Sequence, residues 1–470
     1  MRDDQRDNQR DNQRAAGRDD LARPPAPGTT PFDPGTPPEP AEPLAPATAL
    51  DPATLFDLTS PEYLASPYDA YRVARRRAPV CPMTPDGPWV VTGRAETTAV
   101  LADPERFTSR ANTRGAYGFS AECEELLAGS VYHRVALFNA DPGPHGPFRA
   151  LLDEEFSPRA LRRREPAVRA SARALVQELR ESREPQEPQG AQGRDGVDLL
   201  SRFAYPLPLA VLCDVIGIPP GDRDTVKAWN GDWLLMQVLP LPPEDQLRCA
   251  RGVLAFEAYV RGLLAERGRR PSGDLLGVLA AAAAQSDPVC TDDDAVLALM
   301  LLLAAGHETT THLIANTVHQ LLRDRSRWER VVADPGLIPA AVEEGLRFTS
   351  SLQGVTRTAV EDATVGGVRV PAGAKVHAMV AAAGRDPGAA EDPETFRLDR
   401  TAPVRHLAFG HGDHACLGAG LARLESRIAL ETLVSELPDL RLAPGFAPRH
   451  LPGGLVLHGL LSLPVTWSGR

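Results

Sequence analysis

The segment Phe409-Gly410-His411-Gly412-Asp413-His414-Ala415-Cys416-Leu417-Gly418 constrains this chain more than any other stretch of comparable length. Glycines at 410, 412 and 418 open backbone dihedrals closed to other residues and let the main chain approach a flat ligand. Leu417 to Leu437 then continues with helical spacing. The cysteine stands at a helix start, where the positive end of the dipole and free N–H groups lower a thiol's pKa and favour the metal-binding thiolate. From these residues alone three readings stay open for Cys416: a thiolate ligand of a metal cofactor, a small buried hydrophobe, or a zinc site shared with His411 and His414. Zinc modules usually supply a remote ligand pair, which this loop lacks.

A second motif lies upstream. Thr291-Asp292-Asp293-Asp294 has the spacing of a capping box and predicts a helix running to Leu322. Its centre reads Ala304-Ala305-Gly306-His307-Glu308-Thr309-Thr310-Thr311. An interior glycine costs ~1 kcal/mol against alanine, and threonines bond back to the preceding turn and bend a helix, which leaves groups free for a ligand. An acid beside an alcohol, Glu308 and Thr309, can relay protons; the alternative is a polar patch in a buried helix. Two further pairs share helical faces. Glu344 and Arg347 stand at i, i+3, a commonplace surface spacing contributing ~0.5 kcal/mol or less on its own. His145 and Arg149 follow Asp141-Pro142 at i, i+4, with Pro147 between them, tolerable only in a first helical turn.

Around these motifs the chain reads as globular. With 43% hydrophobic residues it can bury a large core, and a net charge of -11 argues against a nucleic-acid partner held by a basic face. Of the 51 basic residues only Lys227 and Lys375 are lysines, which points to a high-GC bacterial genome. Six cysteines without CxxC spacing read as free thiols in a reducing compartment. No signal pattern opens the chain, and the longest apolar run, Ala295 to Ala305, falls short of the ~20 residues of a membrane span, so a soluble, cytoplasmic protein is expected, with no membrane partner. Residues 1–50 carry a small Arg-Asp repeat and Pro-rich sequence that predict a disordered tail. Residues 51–470 read as one domain, mainly helical, with strands expected at Trp89–Thr92 and within Ala363–Val380. The polar stretch Glu181–Gly196 reads as a surface loop, after which Val197-Asp198-Leu199-Leu200 resumes helical sequence.

With these segments in place the chain resembles the cytochrome P450 family. Residues 409–418 match its cysteine-loop signature, Phe-Gly-x-Gly-x-His-x-Cys-x-Gly, without departure; 305–309 match Ala-Gly-x-Glu/Asp-Thr; and Glu344-x-x-Arg347 precedes Cys416 by the family's interval of about seventy residues. The resemblance implies a mainly α fold with a small β region, a single prism-shaped haem domain. It implies haem b (iron protoporphyrin IX) with Cys416 as axial ligand and only metal ligand, Phe409 packed by the sulfur, and Gly410 and Gly418 shaping the cofactor loop. His414, His145, Arg149 and Arg357 are assigned to the haem propionates, Glu308 and Thr309 to catalytic proton delivery, and Glu344–Arg347 to a structural tie with Pro393-Glu394-Thr395-Phe396 and Arg400. Ser351 and Gly384 stand where the family often has proline and asparagine, so loop shape departs there.

The implied reaction is monooxygenation: one oxygen atom from O2 enters a hydrophobic organic substrate, a bacterial secondary-metabolite intermediate, free or carrier-protein bound. Electrons come from a ferredoxin and ferredoxin reductase, since no flavin or iron–sulfur module is fused on; Arg159, Arg162, Arg163 and Arg164 form a docking patch or simply a solvated face. The same site also supports oxidative cyclisation, coupling or desaturation. A non-catalytic haem-binding recruitment scaffold is the contrasting class, and losing Glu308 or Thr309 would have favoured it. By family analogy the substrate is lined by residues 112–138, 229–241, 302–307, 350–356 and 453–456.

Overall fold

The Asp292–Leu322 helix is the axis on which the other helices pack. Its start is the expected capping box: Thr291 Oγ1 accepts from the Asp294 N–H while the Asp294 carboxylate accepts from the Thr291 N–H. Thirty-one residues rise ~47 Å. After its three opening aspartates the run Ala295–Ala304 is apolar and buried all round, and a helix of that kind needs cover on every side. The helices Pro206–Ile216, Pro243–Arg269, Ile338–Phe348 and Ala419–Glu436 supply it. By length and composition this helix is apolar enough to cross a membrane, which the short Ala295–Ala305 run did not suggest, yet 78% of that window is buried inside the protein.

The computed structural model describes residues 52–468 apart from 59, 86, 111–117, 136, 182–195, 403 and 453. The tail expected over 1–50 and most of the Glu181–Gly196 loop lie outside the described residues. Those described between 52 and 468 belong to one compact, mostly helical unit with a small β region.

Both expected sheet regions form. A five-stranded sheet runs in the order Val80–Pro82, Trp89–Val91, Lys375–Ala378, Val355–Ala359, Phe107–Thr108, antiparallel except where Trp89–Val91 meets Lys375–Ala378. Ala363–Val365 and Val368–Val370 make a separate hairpin whose two-residue turn, Gly366 at φ 56 and Gly367 at φ 80, needs left-handed backbone at both positions. One expectation fails. Val197–Asp198 does not resume a helix: it is a strand paired with Pro464–Thr466, and a π-helical turn begins only at Leu200. The pairing to a strand 266 positions on (Pro464 with Asp198) is invisible to local pattern.

The Glu344–Arg347 pair is buried outright, with 1% and 0% of the side chains exposed. Arg347 Nη2 donates to Glu344 Oε1 at 2.7 Å and to the Thr395 carbonyl at 2.9 Å; its Nη1 donates to the carbonyls of Pro393 and Gly384 at 2.6 and 3.0 Å. Glu344 also accepts from the Arg397 N–H and from Arg400. Every polar atom of the pair is thus used to fasten the segment before the cysteine loop, and Gly384 is required by space, since a Cβ there would meet the Arg347 carbonyl at 2.4 Å.

Candidate active site

Three elements close around a cavity of about 400 Å³: the middle of the long helix, the cysteine loop, and the helix Pro142–Asp153. The loop is shaped by two glycines in left-handed backbone, Gly410 at φ 72 and Gly412 at φ 73; a Cβ on Gly412 would sit 2.7 Å from the Leu101 carbonyl. Gly418, at φ −83, adopts ordinary backbone and serves instead as the residue before the Ala419–Glu436 helix. The Cys416 N–H donates to the Phe409 carbonyl at 2.8 Å, which folds the loop back and turns the sulfur inward. Of the six cysteines, all free, only Cys416 is exposed, and it is exposed into the cavity. Phe409 lines the same wall and stacks beneath the Arg423 guanidinium at 4.6 Å.

The expected lowering of the Cys416 thiol is not the net result in the protein alone. Burial pushes it up, while the Gly418 N–H and the guanidiniums of Arg149 and Arg423 pull the other way. The backbone N–H at the helix start does lower the thiol, but desolvation outweighs it. No group of three or more His, Cys, Asp or Glu is arranged to hold a metal ion among the described residues.

Beside the cysteine lies a basic rim. His145 and His414 are 4.3 Å apart between ring centroids, and both face the cavity with Arg149 and Arg357. Arg357 is 4% exposed, donates to the adjacent Thr356 carbonyl at 2.8 Å and pairs with no carboxylate among the described residues; burial brings its pKa down to about 10. His414 Nε2 is buried without a hydrogen-bond partner, and burial together with Arg357 and His145 lowers the ring to about 4. An uncompensated buried guanidinium and an orphaned imidazole nitrogen fit an anionic ligand at this rim. Pro147 is not in a first turn: the helix starts at Pro142 and carries it in its interior. Arg149 nevertheless reaches the cavity, donating to the Ala415 carbonyl and to Asp153, each at 2.8 Å.

Across the cavity stand Ala305, Gly306, Glu308 and Thr309. Thr309 Oγ1 donates to the Ala305 carbonyl at 2.7 Å, one turn back. Gly306 has a packing reason of its own, because a Cβ would come within 3.0 Å of Leu212. Glu308 Oε1 is 3.7 Å from His307 Nδ1, and Oε2 is 3.5 Å from His312 Nε2. Burial alone would raise Glu308, but His312, His307 and Tyr205 more than offset it and hold the acid below the usual carboxylate range.

The substrate-facing wall is apolar: Leu137, Phe138, Trp233, Leu234, Leu302 and Val355, interrupted by Gln237, Ser350 and Ser351. Each expected lining segment contributes, 112–138 only through Leu137 and Phe138 and 453–456 only through Val456; residues 112–117, 136 and 453 lie outside the described residues. Leu101, Leu212 and Leu313 also line it and were not anticipated. Leu313 is legible as one turn beyond Thr309; Leu101 and Leu212 arrive only by tertiary packing. The expected arginine patch lies on the helix Pro158–Glu181, where Arg164 is already paired with Glu155 at 2.6 Å and Arg159, Arg162 and Arg163 are exposed.

The cytochrome P450 family model matches residues 264–438. The chain is 33% identical to the biotin biosynthesis cytochrome P450 of Bacillus subtilis over 87% of its length and 98% of the relative's. It is 33% identical to the vitamin D(3) 25-hydroxylase of Pseudonocardia autotrophica, covering 88% and 96%. It also superposes on the crystal structure of P450BioI in complex with a hexadec-9Z-enoic acid-ligated acyl carrier protein, with a TM-score of 0.76, 30% identity, and 87% and 99% of the two chains covered. The cavity between Cys416 and Thr309, the family match and these near full-length likenesses agree: the chain belongs to the cytochrome P450 family and is a haem-iron monooxygenase.

Proposed function

We propose that the chain binds haem b, which Cys416 would hold as thiolate ligand and whose propionates would be met by His145, Arg149, Arg357 and His414. Phe409, Gly410 and Gly418 form the loop beside it. The observation that carries this reading is the Cys416 sulfur in one cavity with the buried, uncompensated Arg357. Held there, haem would supply dioxygen activation. The protein's own part is proton and substrate handling: Glu308 delivers the protons that oxygen reduction consumes, Thr309 passes them into the cavity, and the apolar wall excludes water from the bond to be oxidised.

The substrate is a largely hydrophobic molecule, free or tethered to a carrier protein, of the kind found among bacterial secondary-metabolite intermediates. Electrons come from a separate ferredoxin and its reductase, with Arg159, Arg162 and Arg163 available to an acidic partner. A cytoplasmic location goes with those partners. The test is reconstitution with ferredoxin, ferredoxin reductase and NADPH under 18O2, with vitamin D3 and an acyl carrier protein charged with hexadec-9Z-enoic acid as probes. Monooxygenation puts one labelled atom into the product. A cyclised or desaturated product without label would favour the second reading of the same site, and label drawn from H218O would contradict oxygen insertion.

A further inference from the structure

Glu308 faces the cavity on one side, and its other side leads away from the reaction. Its Oε2 is 3.5 Å from Nε2 of His312, one turn on, which is buried and lies outside the cavity wall. The His312 ring rests directly on Gly459: a Cβ there would stand 2.1 Å from Nδ1 and 2.2 Å from Cγ, so only glycine admits the imidazole. Gly459 belongs to an antiparallel return of the chain, with the Leu451 N–H donating to the Gly459 carbonyl at 2.9 Å, the Leu461 N–H to the Arg449 carbonyl at 2.8 Å, and His450 bridged to Leu460. Asn316 Nδ2 donates to the His458 carbonyl at 3.1 Å and fastens that return to the long helix. His450 lies on the facing strand of that return, opposite Leu460, half-buried beside exposed Arg449, its ring stacked on His458 at 4.5 Å. Nδ1 of His312 and Nδ1 of His450 are both buried without a hydrogen-bond partner.

We infer that His312 and His450 form a proton inlet to Glu308, running from the surface at Arg449–His450 past Gly459 to the face of the long helix turned away from the substrate. The inference rests on Glu308 being the proton donor of the reaction. A neutral imidazole accepts a proton on one nitrogen and releases one from the other. His312 gives its Nε2 proton to Glu308 and takes another at Nδ1 from His450, which refills from solvent, so no net charge stays behind. These protons are the ones that turn one oxygen atom of O2 into water.

The rings around His312 are held neutral. His450 is kept below its ordinary range by burial and by His312, and His458 is lowered to about 3 by burial, with His450, Arg385 and His312 adding to it. His319, near His450, is lowered to about 4 by burial and Arg323. On its other flank Glu308 meets His307 and Tyr205; His307 Nε2 is engaged with the Tyr205 carbonyl at 3.1 Å, and Lys227 lies over the Tyr205 ring at 4.4 Å. His312 is a positioning residue in this scheme, since it acts on the reaction only through Glu308.

The test uses the haem-loaded enzyme with NADPH, ferredoxin and reductase and no organic substrate, reading how consumed O2 divides between water and hydrogen peroxide. The variants are Glu308→Gln, His312→Gln, His450→Ala and Gly459→Ala, the last displacing the His312 ring without removing a titratable group. The inlet requires water formation to fall about tenfold in the His312, His450 and Gly459 variants, less than the ~10²–10⁴ of a whole proton-transfer step because the cavity side stays open. It also requires a larger solvent isotope effect in those variants. Independently of turnover, histidine 15N resonances of the reduced, carbon monoxide-bound protein should shift at both His312 and His450 in Glu308→Gln. Unchanged water formation in Glu308→Gln would remove Glu308 as the donor. A strong Glu308→Gln effect with wild-type rates and isotope effects in His450→Ala overturns the inlet alone, leaving entry by His307 and Lys227.

Discussion

At the residue scale, Arg357 carries the strongest electrostatic signal: burial brings its guanidinium down to about 10 with no carboxylate beside it among the described residues, which suits an anionic ligand, while burial keeps the Cys416 thiol protonated in the protein alone. The sequence made the cysteine legible because its loop spends glycine at 410 and 412, where left-handed backbone is needed. It made His312 legible only in retrospect: four residues after Glu308 it shares the helical face, but nothing local announces Gly459 against its ring. Thr309, whose hydroxyl donates to the Ala305 carbonyl, faces the cavity and is only partly buried. Thr309→Ala should keep substrate binding, seen as an unchanged spectral titration, while product per NADPH falls at least about tenfold and peroxide rises. Undiminished coupling would take Thr309 out of proton delivery.

At the scale of elements, local signals were read correctly wherever the element's own residues decide it. The Thr291–Asp294 box starts the long helix and the Gly366-Gly367 turn closes its hairpin. Where a distant partner decides, as for Val197–Asp198 against Pro464–Thr466, the local reading as helix was wrong. Pro147 is the intermediate case, kept within its helix although its ring offers no N–H to the turn before. The Glu344–Arg347 link joins a helix to the segment before the cysteine loop through carbonyls of Gly384, Pro393 and Thr395. Glu344→Gln leaves buried guanidiniums short of charge, and such losses cost ~3–5 kcal/mol. The expected outcome is a lower urea midpoint and poor haem retention even where the protein still folds. A midpoint within experimental error of the wild type would mean the network is not what holds that segment.

At the scale of the whole molecule, stability should depend on pH through its buried histidines. His319 and His377 are lowered by burial to about 4 and His458 to about 3, so all three stay neutral in the folded chain while the unfolded chain binds protons below ~6.5. Between those values the unfolded state holds more protons, hence stability is full above about pH 6.5 and is lost as pH falls toward 4. Thermal unfolding should drop steeply over that window, and His377→Gln should flatten it; a profile unchanged by His377→Gln would contradict the assignment. The overall architecture was legible because four spaced motifs each carried a physical requirement, whereas the choice of bond to be oxidised is written in a wall assembled from Leu101, Leu212, Trp233 and Val355, which no single stretch contains. The central claim is that Cys416 meets haem iron as a thiolate. It is tested by reducing the haem-loaded protein, adding carbon monoxide and recording the absorption spectrum: a strongly red-shifted Soret band, absent in Cys416→Ala, is the predicted result. A folded, haem-loaded wild-type protein without that band would contradict it.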